Sequence, residues 1–233
     1  MTQNNFIEEL KKINIEITDD MLNKLEQYYE MLIEYNKVMN LTGITEKNDV
    51  YLKHFYDSLT LNKIIDLNTV NSLCDLGSGA GFPGIVLKIV FPNIKITLVD
   101  SLNKRINFLN DVINKLELRN IEAVHARIEE YSINNEEKFD VVTARAVAPL
   151  SILLELGVRC VKVGKYFIPM KGNILNDPDY QKCINTLELI EENKIIFNLP
   201  IENSTRTLIK FKKINKTNKL FPRKYSEIKK RQL

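Results

Sequence analysis

The chain of 233 residues is 44% apolar and 27% charged, a balance that suits one sizeable buried core plus an appendage rather than a fibrous or disordered protein. No apolar run approaches the roughly 18 residues needed to cross a bilayer, and the opening MTQNNFIEELKK lacks a basic-then-apolar export signal, so no membrane partner and a cytoplasmic location are expected. The formal net charge of +3 conceals an asymmetry: residues 210–233 hold ten Lys and Arg against one Glu, net +9, which leaves the body before them acidic.

In chain order, Thr18-Asp19-Asp20 reads as a helix cap, and Met21, Leu25, Tyr28 and Leu32, with Leu22, Tyr29 and Ile33, follow helical spacing behind it. A turn at Asn40-Leu41-Thr42-Gly43-Ile44 leads to a second helix predicted from Asp49 to Ile65, so residues 1–66 read as an all-helical segment. From Val70 onward, strands near 70–76, 95–99, 121–125, 139–144, 164–170, 194–200 and 205–213 are predicted, with helices between the first six. Such alternation builds a mostly parallel, doubly wound sheet with helices on both faces. The last two strands stand only about five residues apart, too few for a crossover helix, so they are expected to form a hairpin with one antiparallel strand. The predicted fold is α/β: a seven-stranded Rossmann-like sheet in residues 67–214, an N-terminal helical extension in 1–66 and a basic tail in 215–233.

Cys74, Cys160 and Cys183 are odd in number and widely spaced, and only His54 and His125 accompany them. Neither a disulfide framework nor a metal site is predicted, and the thiols read as small core hydrophobes.

The most informative stretch is Cys74 to Gly84, CDLGSGAGFPG, which sets four glycines and Asp75 between a buried strand and a helix predicted over Phe82 to Phe91, with Pro83 near its first turn. A backbone this bare permits close approach of a ligand. Gly79-x-Gly81-x-x-Gly84 also satisfies the dinucleotide fingerprint. With Asp75 ahead of Gly77, however, the whole resembles the D-x-G-x-G-x-G cofactor loop of class I S-adenosylmethionine (AdoMet) methyltransferases. Asp100 ends the next strand, roughly 20 residues past the loop, where a carboxylate can accept both ribose hydroxyls. Its bland rival is an N-cap ahead of a helix from Asn103 to Leu116.

In that fold the substrate lies beyond the fourth strand, here Asp140-Val-Val-Thr-Ala-Arg145-Ala-Val-Ala-Pro149. The Asn/Asp-Pro-Pro-aromatic stretch of exocyclic-amine methyltransferases is missing there, and so is the cysteine nucleophile of pyrimidine-carbon methylation. What remains is attack by an unprotonated ring nitrogen such as guanine N7, with catalysis resting on alignment rather than on an acid/base pair.

Several stretches together resemble the ribosomal small-subunit RNA methyltransferase G family, also called glucose-inhibited division protein B. Beyond DLGSGAGFPG they are Asn36 with Asn40-Leu41-Thr42, His54-Phe55 with Asp57-Ser58-Leu59, Val99-Asp100-Ser101 with Lys104-Arg105, Arg145-Ala146-Val147-Ala148, Lys171-Gly172, Arg206 and Pro222-Arg223. Two departures stand out: Tyr35 replaces the family's usual Trp, and the tail reads PRKYSEIKKRQL rather than PRRxGxPxKxPL. The resemblance implies an AdoMet-dependent enzyme forming 7-methylguanosine at one guanine in the 530 loop of 16S rRNA. It implies that Gly77, Gly79 and Phe82 line the cofactor pocket, that Asp100 binds the ribose, and that Ile128 and Glu129 meet the adenine edge. Arg145 is expected at the junction of cofactor and substrate, as a positioning residue, and Lys171, Arg206 and Arg223 on the substrate RNA.

Each assignment has a plainer rival: Glu129 as a solvated carboxylate, Phe82 as a core contact, Lys171 as an exposed loop lysine. His54, Asp57 and Ser58 fall within one helical turn, too close for a hydrolytic triad, and are expected to hydrogen-bond where the helical segment docks on the sheet. The implied partner is 16S rRNA, as a small ribosomal subunit or an assembly intermediate, with no stable protein partner. A noncatalytic RNA-binding or ribosome-assembly factor with the same fold is the alternative of a different class, and a nicotinamide-dependent oxidoreductase stands third. The basic tail is expected to contact polyanionic RNA, so deleting residues 215–233 is expected to flatten the salt dependence of RNA binding while sparing AdoMet.

Overall fold

The computed structural model describes residues 1–173 and 180–233. Strands β1 (Ser72–Leu76), β2 (Lys95–Asp100), β3 (Ile121–His125), β4 (Phe139–Arg145), β5 (Val161–Lys171), β6 (Leu189–Asn198) and β7 (Thr205–Lys213) form one sheet in the order β3-β2-β1-β4-β5-β7-β6. The pairs from β3 through β5 are parallel, and β7 runs antiparallel to both β5 and β6. This is the expected Rossmann-like sheet, with its one antiparallel strand inserted by the terminal hairpin.

Period-two alternation gives the sheet a core on each face. Leu73, Val141, Ile168 and Leu208 turn toward one core, while Cys74, Val142, Phe167 and Ile209 turn toward the other. The first core is covered by α1 (Gln3–Lys11), α2 (Asp19–Met39), α5 (Gly84–Val90) and α6 (Asn103–Lys115). The second lies under α7 (Ile128–Asn134), α8 (Leu150–Gly157) and α9 (Gln181–Thr186). Thr2 and Thr18 cap α1 and α2, their hydroxyls accepting the Asn5 and Met21 N–H groups at 3.3 Å. Asn40 closes α2 in the left-handed conformation at φ 49°.

The segment predicted as one helix from Asp49 to Ile65 changes register within itself. It runs through α3 (Lys47–Val50), a π turn (Tyr51–Tyr56), α4 (Asp57–Leu59) and a 3₁₀ turn (Thr60–Lys63). Burial of Tyr51, Leu52, His54, Phe55 and Tyr56 leaves little polar stripe to mark the register change. Other boundaries differ too, among them the start of β5 at Val161 rather than 164. α5 begins at Gly84, because Phe82 and Pro83 belong to the glycine turn, and β6 begins at Leu189 rather than 194. Edge strand β6 exposes both faces over Ile190–Lys194, which erases the alternation that would have marked it.

The basic segment is not a loose extension. After β7 it folds back and ends in α10 (Tyr225–Lys230), with Ile228 fully buried. Much of its charge meets the acidic body: Lys210 and Lys212 reach Glu192, Lys213 reaches Glu137, Lys216 reaches Glu136 and Arg223 reaches Glu155. No helix among the described residues is long and apolar enough to cross a membrane. The three thiols are free and buried.

Candidate active site

The chain reverses sharply at the carboxyl end of β1. Gly77, Gly79 and Gly81 adopt φ values of +72°, +59° and +99°, which side chains with a Cβ resist. Gly84 is required for another reason: a Cβ there would lie 2.1 Å from Leu98 Cδ2 and 2.9 Å from Asp75 Oδ2. The absence of that atom lets α5 pack on the sheet and lets the Gly84 N–H donate to Asp75 Oδ2 at 2.9 Å. Asp75 is wholly buried beneath the loop; burial pushes its carboxyl up to about 7 against the opposing Gly84 hydrogen bond. Tyr28, from α2, donates to the Ala80 carbonyl, so the N-terminal helices grip the loop from behind.

Two clefts open side by side at this end of the sheet, where β1 separates strands wound in opposite directions. The first, about 330 Å³, is lined by Gly77, Asp100, Arg127, Ile128, Glu129 and Tyr225, among others. Asp100 forms its floor and is 2% exposed. Its Oδ1 accepts the Leu102 N–H at 2.9 Å, and its Oδ2 accepts the Gly79 N–H at 2.9 Å with Arg105 Nη1 at 3.3 Å. The carboxylate therefore supports the turn ahead of α6 and the glycine loop together, but it is not the helix cap of its plainer rival, since α6 is capped at Leu102 with no side-chain bond.

The second cleft, about 340 Å³, is lined by Lys53, His54, Asp57, Arg145, Lys171 and Arg206, among others. Ala146 lines both clefts, so one residue past the end of β4 separates them. Arg145 is held from three sides: Nη1 donates to the Lys53 carbonyl at 2.8 Å and to Asp57 Oδ2 at 3.1 Å, while Nη2 lies 3.0 Å from His54 Nδ1. The π turn makes the first contact possible. The Asp57 N–H bonds the Leu52 and His54 carbonyls and passes over Lys53, whose carbonyl turns to the guanidinium instead.

His54 Nδ1 also lies 3.1 Å from the Lys53 carbonyl, and Nε2 lies 2.9 Å from the Thr42 hydroxyl, so whichever ring nitrogen carries the proton, the other faces a donor, Arg145 at Nδ1 or the Thr42 hydroxyl at Nε2. Burial first, and the Arg145 charge second, lower the His54 pKa to about 3. The imidazole stacks on Phe82 with centroids 4.3 Å apart, and the Arg145 guanidinium carbon lies 5.2 Å from the same ring's centre. Asp57, buried, is shared: its other oxygen accepts from Arg206 Nε at 2.9 Å. Lys171 Nζ donates to the Ala148 carbonyl at 3.1 Å.

The sequence-predicted residues thus divide into groups. Gly77, Asp100, Ile128 and Glu129 line one cleft, and Arg145, Lys171 and Arg206 line the other. Gly79 and Phe82 stand behind the clefts rather than on the cofactor lining: Gly79 acts through its N–H on Asp100, and Phe82 is a 6%-exposed support beneath His54 and Arg145. Arg223 is not with them. Its guanidinium binds both oxygens of Glu155 at 2.7 and 2.6 Å. Glu155 lies fully buried in the apolar helix LSILLELG and needs a counter-charge there, so Arg223 is committed to the protein rather than free for RNA.

Sequence reasoning missed Lys53, Arg127 and Tyr225. Lys53, half-buried, lies in a register change that side-chain periodicity does not encode, and Tyr225 lies inside what reads as a charge run. His54 and Asp57 were anticipated as docking residues, and their hydrogen bonds to Arg145 are such contacts. Among the described residues no group of three His, Cys, Asp or Glu could hold a metal ion.

Residues 21–197 match the family model described as rRNA small subunit methyltransferase G. Ribosomal RNA small subunit methyltransferase G of Lysinibacillus sphaericus is 46% identical over 228 residues, covering 96% of each chain. The protein of the same name from Bacillus subtilis is 44% identical over 223 residues, covering 94% of this chain and 93% of its own. A SAM-dependent methyltransferase from Aquifex aeolicus shares the fold alone, with TM-score 0.53 at 14% identity over 71% of this chain and 93% of that one. With the matched region taking in the glycine loop, most of the lining of both clefts, strands β1 to β5 and nearly all of β6, the chain belongs to the rRNA small subunit methyltransferase G family.

Proposed function

We propose that the protein is an AdoMet-dependent methyltransferase acting on small-subunit ribosomal RNA, and that its acceptor is guanine N7 at one position in the 530 loop of 16S rRNA. The observation that carries this reading is the pair of clefts meeting at Ala146, one floored by a buried carboxylate and the other lined by cationic side chains. The first cleft fits the cofactor: Asp100 suits the ribose hydroxyls, Ile128 an apolar ring face and Glu129 an exocyclic amine, while Gly77 adds no side chain against the ligand. Bound AdoMet supplies an electrophilic methyl group on sulfonium sulfur.

The chemistry of the second cleft favours an acceptor that needs no proton removed. His54 is a neutral imidazole with Arg145 and the Lys53 carbonyl at Nδ1 and the Thr42 hydroxyl at Nε2, so in either tautomer its one lone pair faces a donor and is not free for a base. Asp57 is committed to two guanidiniums. No cysteine lines the cleft. Guanine N7 presents an in-plane lone pair at neutral pH, so its attack on a methyl group with the sulfur departing as a thioether requires alignment alone. Lys171 stands at the opening as a cation for RNA phosphates, beside Lys53, which is paired with Asp49 and Glu202, and Arg206, which shares Asp57 with Arg145.

Methyl transfer from labelled AdoMet to small subunits lacking the modification, with the product nucleoside mapped by mass spectrometry, tests the proposal. 7-Methylguanosine in the 530 loop is the expected product. Methyl groups on another atom or site refute the acceptor assignment, and AdoMet binding without transfer turns the reading toward a noncatalytic RNA-binding factor.

A further inference from the structure

Tyr225, at the start of α10, lines the same cleft as Gly77, Asp100 and Glu129, although its surrounding sequence reads as a basic tail. Three independent attachments hold it there. Arg223 binds Glu155 through its backbone N–H at 3.1 Å and through its guanidinium at 2.7 and 2.6 Å. Ile228 is fully buried with Ile152 and Leu156. The Ser151 hydroxyl donates to the Gln232 side-chain oxygen at 2.6 Å. All three reach α8, and Leu156 of α8 itself lines the cleft. The segment is therefore pinned on both sides of Tyr225 to the helix that follows the Ala146–Ala148 loop.

Tyr225 is nevertheless 40% exposed. It has been positioned without being consumed by the core. A half-exposed aromatic facing a cleft offers a planar surface on which a heterocycle stacks, and its neighbours in the cleft include apolar Ile128 and the Glu129 carboxylate. We propose that the carboxyl-terminal segment is a built wall of the cofactor site and that Tyr225 contacts the purine end of AdoMet. This rests on the cofactor reading above, and it reverses the expectation that removing residues 215–233 would spare AdoMet.

The chain contains no tryptophan, so Y225W places a single indole reporter at the site in the full-length protein. AdoMet is expected to produce a saturable change in its emission, and D100A introduced into the same variant is expected to abolish that change. Y225A is expected to weaken AdoMet binding in equilibrium dialysis by about tenfold with an unfolding midpoint close to that of the unaltered chain, since the ring is half exposed; Y225F is expected to restore affinity. Unchanged emission in a Y225W variant that dialysis shows to bind, or a Y225A affinity within about twofold of the parent, overturns the proposal while leaving the cofactor reading intact. Failure of the unaltered chain to bind AdoMet removes both.

Discussion

His54 Nδ1 lies 3.0 Å from Arg145 Nη2, which sets a buried imidazole directly against a guanidinium inside a cationic cleft. The His54 pKa is lowered from 6.5 to about 3 by burial and then by Arg145. Because the folded value lies below the unfolded one, the stability gained from this neutral ring is present above pH 6.5 and is lost as pH falls toward 3. With His125 replaced to leave one histidine, the imidazole carbon resonances of His54 are expected to stay flat between pH 8 and 5. A titration midpoint near the ordinary histidine value would place the ring in a far better solvated setting, away from the Arg145 charge.

Asp57 joins Arg145 and Arg206 at 3.1 and 2.9 Å, and its side chain is only 5% exposed. Removing the shared carboxylate leaves two cations without their partner, whereas removing Arg206 leaves Asp57 still paired. D57N is therefore expected to lose about 3 kcal/mol of stability and R206A about 1 kcal/mol, given that Arg206 retains 21% exposure. Urea unfolding of both variants checks the ordering. Equal losses would mean that the carboxylate does not serve the two arginines jointly.

Asp75 supplies a pH dependence of opposite sign. Its pKa rises from 3.8 unfolded to about 7 folded through burial, so its contribution is fully present below pH 3.8 and is lost as pH rises through about 7. D75N keeps an oxygen that can accept the Gly84 N–H but cannot ionise. Between pH 4 and 8 the parent is expected to lose stability relative to D75N, by an amount of order a few kcal/mol, measured as urea midpoints across that range. Parallel profiles for the two proteins would place the ionised carboxylate in a far better solvated setting.

The glycine loop and the strand order were legible because both are written in local chemistry. Gly77 and Gly81 occupy left-handed backbone that their text foretells, and a five-residue gap cannot hold a crossover helix, whichever side chains flank it. What stayed hidden was set by partners distant in sequence. The Lys53 carbonyl becomes an acceptor through a π turn whose side chains are nearly all buried, and Arg145 reaches it across 92 residues. Arg223 reads as one more basic tail residue until Glu155, 68 residues away, appears buried inside an apolar helix. Composition counts charges, but it does not say which of them face one another.

That last pair gives a prediction read in stability rather than in cofactor binding. Glu155 is 0% exposed at its side chain and Arg223 is 23% exposed, so the two single substitutions are not equivalent. R223A leaves a buried carboxylate with no counter-ion and is expected to cost about 3 kcal/mol or more. E155A leaves an arginine that can turn to solvent, and is expected to cost less despite the small cavity it opens. In the double variant the buried charge is gone, so its loss is expected to fall well short of the two single losses added together. If Arg223 instead stood free for RNA, R223A would leave urea stability unchanged and lower only the salt slope of RNA binding by about one. Strict additivity, or an R223A chain as stable as the parent, would therefore release the tail from α8 and return Arg223 to the RNA.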